Sequence, residues 1–341
     1  MRLIESVAAV IFWSIMGAVF AGEAGQRTDD LVVREVIAAQ KGDARLDYAA
    51  VDPVSRRLFV ARGFGVTALD LDSGRVTRQL VAGQHVHAVV PLPGGKVIST
   101  NGDSNTATLF EGSSGKVIAE IATGKGPDAA VFDPAGGQVW VMNGKDGSAS
   151  LIDPVRARAI DMIPIGGSLE FAVADGNGHI FVNIEDQGSV AVIDTRSRSV
   201  MARYDLPGCD HPTGLGIDPA SGILLAACAN RIAVAIHAAD GTSAGAPIAI
   251  DRKPDAVMFD PAHRRFFIPC GQDGSLIVIA ESPDHGLAAI ASVKTAVGAH
   301  TGAIDPKTGF IYLPAADYKV TKLGFSPIAD SFRILVVGLK L

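Results

Sequence analysis

Pro127-Asp-Ala-Ala-Val-Phe-Asp-Pro134 recurs along the chain in recognisable variants: Leu46-Asp-Tyr-Ala-Ala-Val-Asp-Pro53, Thr213-Gly-Leu-Gly-Ile-Asp-Pro219, Pro254-Asp-Ala-Val-Met-Phe-Asp-Pro261 and Thr301-Gly-Ala-Ile-Asp-Pro306. The anchors Asp133, Asp175, Asp218, Asp260 and Asp305 follow one another at intervals of 42 to 45 residues, and Asp52 lies 81 residues, two slightly shorter periods, before Asp133. A degenerate copy, Ala88-Val-Val-Pro-Leu-Pro-Gly94, fills the gap. Seven units of this length, each with several short apolar runs, are the signature of radial β-sheet repetition. The sequence therefore predicts an all-β chain: a seven-bladed β-propeller of four-stranded antiparallel blades.

The third unit shows how one repeat becomes one blade. Ala129–Phe132, Gln138–Met142, Ser148–Ile152 and Ala159–Ile163 are strand-like runs, separated by Asp133-Pro-Ala-Gly-Gly137, Asn143-Gly-Lys-Asp-Gly147 and Asp153-Pro-Val-Arg-Ala157. The separators are turn compositions, so the unit reads as a meander. Both faces of a blade are covered by its neighbours, which removes the need for strict polar alternation in middle strands such as Val139-Trp-Val-Met142. The last unit offers only three strands, ending in Arg333–Leu339, whereas Leu31–Ile37 precedes the first unit unassigned. That N-terminal strand is expected to complete the last blade and close the ring.

Composition agrees with this reading. The chain has 341 residues, 48% of them hydrophobic and 19% charged, with 38 Gly and 18 Pro. Residues 30–341 are expected to form a single domain, since each repeat packs only on its neighbours. The formal net charge of −6 supplies no global basic field, which disfavours a nucleic-acid partner. Residues 1–24 read as a signal peptide, with Arg2, an apolar run from Val7 to Phe20 and small residues at Ala21, Gly22 and Ala24; an uncleaved anchor is the alternative. The expected location is periplasmic or secreted, with no stable membrane span in the mature chain, which is expected to be a monomer.

Export exposes Cys209, Cys228 and Cys270 to oxidation. Aligning Leu224–Cys228 with Phe266–Cys270 puts Cys228 and Cys270 at equivalent positions of adjacent blades, while Cys209 lies in the loop that leads into the blade of Cys228. A Cys209–Cys228 bridge needs the shortest reach; three reduced, buried thiols are the alternative.

In a meander that starts at the axis, the loop leading into the innermost strand and the loop between the second and third strands lie at one end. Their residues converge on the channel mouth. Candidate ligand-binding residues there are Tyr48, Arg62, His85, His87, Asn101, Asp128, Asn143, Glu170, Glu185, His211, Thr213, Asp255 and His300. His85 and His87 share a side of one strand-like segment, and His211, His300, Glu170 and Glu185 can reach the same mouth. Yet no H-x-x-x-H or H-E-x-x-H spacing is present, so neither metal nor other cofactor is assigned. There is no G-x-S-x-G elbow, no C-x-x-C and no phosphate-cradling G-x-G-x-x-G, so no catalytic residue is assigned. The insertion from Ala316 to Ser331, with Tyr318, Lys319, Lys322 and Phe325, is expected to cap or flank the mouth.

Leu46–Pro53 with Arg57-Leu-Phe-Val-Ala61, Gly124-Lys-Gly-Pro-Asp-Ala129, Phe171-Ala-Val-Ala-Asp-Gly176 with Val182-Asn-Ile-Glu-Asp186, and Pro212–Pro219 together resemble the YncE-like, YVTN-repeat propellers exported by bacteria. The resemblance spans Asp30 to Leu341; the Tyr-Val-Thr-Asn phrase itself stands here as Val-Met-Asn-Gly or Ser-Thr-Asn-Gly. It implies a seven-bladed fold and a non-catalytic binding or scaffolding role; with the convergent loops, the expectation is a protein or small-molecule partner bound at the mouth. Single-stranded DNA binding, suggested for one branch of that family, is a further reading. A lactonase-like hydrolase, in some cases metal-dependent, is the alternative that fold analogy adds.

Overall fold

The computed structural model describes residues 31–38, 42–282, 286–321 and 324–340; the signal-peptide reading and Lys322 lie outside them. Seven four-stranded antiparallel sheets follow in chain order. In the first blade the strands are Leu46–Asp52, Arg57–Arg62, Gly65–Asp70 and Val76–Ala82, and in the third Pro127–Asp133, Gln138–Asn143, Ser148–Asp153 and Arg158–Pro164. Second strands are buried at nearly every position, as in Gln138–Asn143, because neighbouring blades cover both faces. Outer strands such as Ser199–Asp205 alternate between exposed and half-buried, because only one face meets protein.

The last blade is built as the sequence predicts. Leu31–Ala38 pairs antiparallel with Arg333–Leu339, from Leu31 opposite Leu339 to Ala38 opposite Arg333. The end of the chain is thereby sewn to its beginning, and the outer edge of that blade is a strand contributed from the other terminus. Part of the Ala316–Ser331 insertion is itself ordered as a hairpin, Tyr318–Thr321 with Gly324–Pro327.

The repeated aspartate that reveals the fold is structural. It ends the innermost strand at the pole away from the lead-in loops and folds the next turn onto its carboxylate: Asp52 accepts from Val54 N at 3.0 Å, Asp133 from Ala135 N at 2.9 Å, Asp218 from Ala220 N at 2.9 Å and Asp260 from Ala262 N at 2.9 Å. Two of these carboxylates also join blades. Arg56 Nη1 donates to Asp305 Oδ2 at 2.6 Å across the closure, and Arg264 reaches Asp218 at 3.3 Å.

The Cys209–Cys228 disulfide forms, with Cα atoms 5.5 Å apart, and ties the lead-in loop of the fifth blade to its second strand. Cys228 and Cys270 are equivalent in register, lying opposite Pro212 and Pro254. Cys270 is a buried thiol that burial pushes up to about 12, so it is inert as a nucleophile at neutral pH.

Candidate functional site

One register position supplies the mouth. The second residue of each lead-in segment, five before the anchor that ends the innermost strand, is Asp47, His87, Asp128, Glu170, Thr213, Asp255 and His300 in blades one to seven. The backbone of this ring is held from blade to blade by side chains. Thr301 Oγ1 donates to Asp47 O and Thr100 Oγ1 to Asp128 O, both at 2.8 Å; Asn183 Nδ2 donates to Thr213 O at 3.1 Å and Thr213 Oγ1 to Pro254 O at 2.8 Å. Spacing around the axis is thus fixed by hydrogen bonds between adjacent sheets.

Asp47, His87 and Asp128 come from three consecutive blades and meet. His87 Nδ1 lies 2.7 Å from Asp47 Oδ2 and 3.5 Å from Asp128 Oδ1. In the two blades that precede Asp47 around the ring, His300 Nε2 lies 3.8 Å from Asp255 Oδ2, while its Nδ1 donates to Gly298 O at 2.8 Å. Glu185, on the 3₁₀ turn Glu185–Gln187 after the second strand of the fourth blade, adds a fifth carboxylate.

Tyr48 floors the pocket. Its ring packs among Ala88 and Ala129 and meets Phe171 edge-on at 4.9 Å between centroids. Its hydroxyl donates to Glu170 Oε1 at 3.0 Å, linking the first blade to the fourth. The pole beyond it is an apolar hollow of about 480 Å³, lined by residues such as Val131, Phe132, Ile217 and Phe259. The two ends of the axis are therefore chemically distinct, one acidic and one apolar.

Crowding of the carboxyls changes their protonation. Burial, then the charges of Asp128 and Asp255, raise Glu170 to about 9, so it is a neutral acid at pH 7. Burial and the Asp47 charge raise Asp128 to about 7; burial likewise raises Asp255 to about 6, against the pull of His300. Burial opposes a charge on His87, but the hydrogen bond and charge of Asp47, reinforced by Asp128, outweigh it and raise His87 to about 9.

Other expected site residues lie at the rim or beneath it. His85 stands at the rim, 3.4 Å from Asp103, and His211 is exposed. Both adopt left-handed backbone, φ 54° and 50°, at the position where Gly126 and Gly298 serve in other blades. Arg62, Asn101 and Asn143 are buried and turned into the protein. Arg62 lies over the Phe332 ring and donates to Arg45 O, while Asn101 and Asn143 bond hydroxyls of their own third strands, Thr106 with Thr108 and Ser148 with Ser150. Period-two alternation explains this: these residues end strands whose side chains at that position face the neighbouring sheet. Asp47 is the ring member the candidate set omitted, and register with Asp128 and Asp255 is the signal that finds it. Tyr318 of the inserted hairpin borders the mouth, where a cleft of about 700 Å³ is lined by His85, Arg252, Lys253, Asp255, His300 and Tyr318.

The fold and this mouth define a seven-bladed β-propeller with an acidic, histidine-bearing axial pocket. No protein-family model and no curated protein sequence matches the chain. Among solved structures it is similar to a hydrazine synthase of Kuenenia stuttgartiensis at 16% identity and TM-score 0.71, over 81% of this chain and 94% of that one. It is also similar to the WD40 repeats of RRP9 at 10% identity and TM-score 0.72, over 92% and 98% of the two chains. A streptogramin B lyase is similar at 13% identity and TM-score 0.67, over 91% and 97%. At these identities the likeness is one of fold.

Proposed function

We propose that this chain is a non-catalytic binding protein that captures a small cationic or zwitterionic ligand at its axial mouth. The observation that carries the reading is the ring position itself: Asp128, Glu170 and Asp255 have their proton affinity raised by burial and by neighbouring carboxylates, over a floor formed by Tyr48. A ligand cation would relieve that repulsion, and the adjoining cleft, which Asp255 lines, has a volume that suits a small organic molecule. Lys253 on the cleft wall would meet an anionic end of a zwitterion. The same carboxylates repel phosphates, which weighs against single-stranded DNA at this mouth.

The YncE-like resemblance and the N-terminal apolar run support an exported protein, and the disulfide fits an oxidising compartment. Among the described residues no helix is long and apolar enough to cross a membrane.

The test is a thermal-shift and calorimetric panel of amines, betaines, amino acids and organic anions. Cations or zwitterions should raise the melting temperature, and Asp255→Asn and Glu185→Gln should each remove the effect. A response confined to anions, or none at all, would overturn the reading. A second reading, a lactonase-like hydrolase, is favoured by one observation: Glu170, held by the Tyr48 hydroxyl among other carboxyls of the mouth, retains a proton at neutral pH and so could act as a general acid. Lactone turnover lost in Glu185→Ala and His87→Ala would establish it in place of the first.

A further inference from the structure

The geometry points to a divalent transition-metal site at the mouth, with Asp47, His87 and Asp128 as its three protein ligands and the remaining coordination positions open to the pocket. The inference deepens the binding reading and rests on it in one respect, that the mouth is the working surface.

Donor identity and placement come first. One imidazole nitrogen and one oxygen from each of two carboxylates lie within 4.8 Å of one another, on three adjacent blades. Donors around a single ion at bond lengths of about 2.1 Å sit roughly 3–3.5 Å apart. The 3.5 Å His87–Asp128 separation already matches this, and the 2.7 Å His87–Asp47 contact must open by a few tenths of an ångström as the metal replaces the shared proton. Rotation about carboxylate side-chain bonds supplies such movements without shifting the backbone.

The surroundings hold the donors and leave them reachable. The backbones of Asp47 and Asp128 are pinned by Thr301 and Thr100, and Ala88, next to His87, donates its N–H to Thr100 Oγ1 at 2.8 Å. The His87 ring lies against Gly102 so closely that a Cβ there would fall 2.7 Å from its Cδ2 and Nε2. Glycine at 102 thus sets the imidazole's position. The three side chains keep 21%, 21% and 27% of their surface exposed, which gives an ion a path from solvent.

Charge separates this from an ordinary Asp–His–Asp ion triad. Five carboxyl groups, Asp47, Asp128, Glu170, Glu185 and Asp255, gather with two imidazoles, His87 and His300, so acidic groups outnumber basic ones at the mouth. The imidazole donor favours zinc over calcium, which seeks six to eight oxygens, and the two carboxylates also admit manganese.

Calorimetric titration of Zn²⁺ and Mn²⁺ into the metal-stripped full chain tests the proposal, with Ca²⁺ as comparison. One ion of Zn²⁺ or Mn²⁺ should bind at the mouth, at least tenfold tighter than Ca²⁺. Asp128→Asn and His87→Ala should each weaken it about 10-fold to 100-fold, and Gly102→Ala, which keeps every donor, should weaken it by a similar factor. Melting curves establish that each variant is folded. His179 and His263, each paired with an aspartate at the other pole, could also take up zinc, and only a mouth ion responds to these variants. An affinity unchanged by Asp128→Asn and His87→Ala, or no binding at about 1 mM metal, overturns the site. If metal fails but cationic ligands bind, the binding reading survives alone; if metal binds as expected and no organic ligand does, with or without it, only that reading falls.

Discussion

Tyr48 and Glu170 meet across the axis of the ring, 122 residues apart in sequence, with the tyrosine hydroxyl donating to a carboxyl that remains protonated at neutral pH. The contact closes the channel under the acidic mouth and couples the first blade to the fourth.

Replacing Glu170 by Gln should stabilise the protein at alkaline pH. The folded state holds Glu170 as an acid up to about 9, whereas an unfolded chain ionises it near 4.5, so its contribution is fully present below 4.5 and is lost as pH rises to 9. Glu170 faces Asp128, Asp255, Glu185 and the Tyr48 hydroxyl, none of which reverses that sign. Melting curves should show the variant ahead of wild type by a few degrees at pH 9, with a smaller gap at pH 4; a constant gap would refute the assignment.

The whole mouth predicts the same trend. His87, raised from 6.5 to about 9, and Asp128, raised from 3.8 to about 7, also favour the folded state at lower pH. Thermal stability without added ligand should therefore decline between pH 5 and pH 9. Asp47→Asn with Asp128→Asn should flatten the decline.

Arg56→Ala should cost about 3 kcal/mol, because it strands the fully buried Asp305 carboxylate at the closure of the ring. Burial raises Asp305, but the Arg56 and Thr308 hydrogen bonds win and hold it below 3.8, so the pair's contribution exists above that pH and fades as acid protonates Asp305. Denaturant titrations should show a large deficit at pH 7 that narrows below pH 3.

Cys209→Ser should lower stability by about 3 kcal/mol under oxidising conditions, the entropy of a loop of this length. Under reducing conditions the difference from wild type should nearly vanish. Cys270→Ser should show no such redox dependence.

Asn143→Ala should destabilise by roughly 1–3 kcal/mol, since it removes the buried amide that donates to both the Ser148 and Ser150 hydroxyls. Ligand affinity at the mouth should be unchanged in the protein that remains folded. A selective loss of binding would place Asn143 in the pocket after all.

Blade number, strand order, the closing N-terminal strand and the disulfide were legible in the sequence because they depend on period and register, which the chain writes locally and repeats. The Asp-Pro anchors are readable for the same reason, since each folds its own turn. What the tertiary structure decided is which polar residues share a space. Asp47, His87 and Asp128 touch because ring closure brings one register position of three sheets to the axis, and Tyr48 becomes a floor because its partner Glu170 arrives from the opposite side. Arg62, Asn101 and Asn143 sit at mouth-level positions yet turn inward, as strand pleating dictates. Convergence arises only when separate sheets pack, so no stretch of sequence carries it.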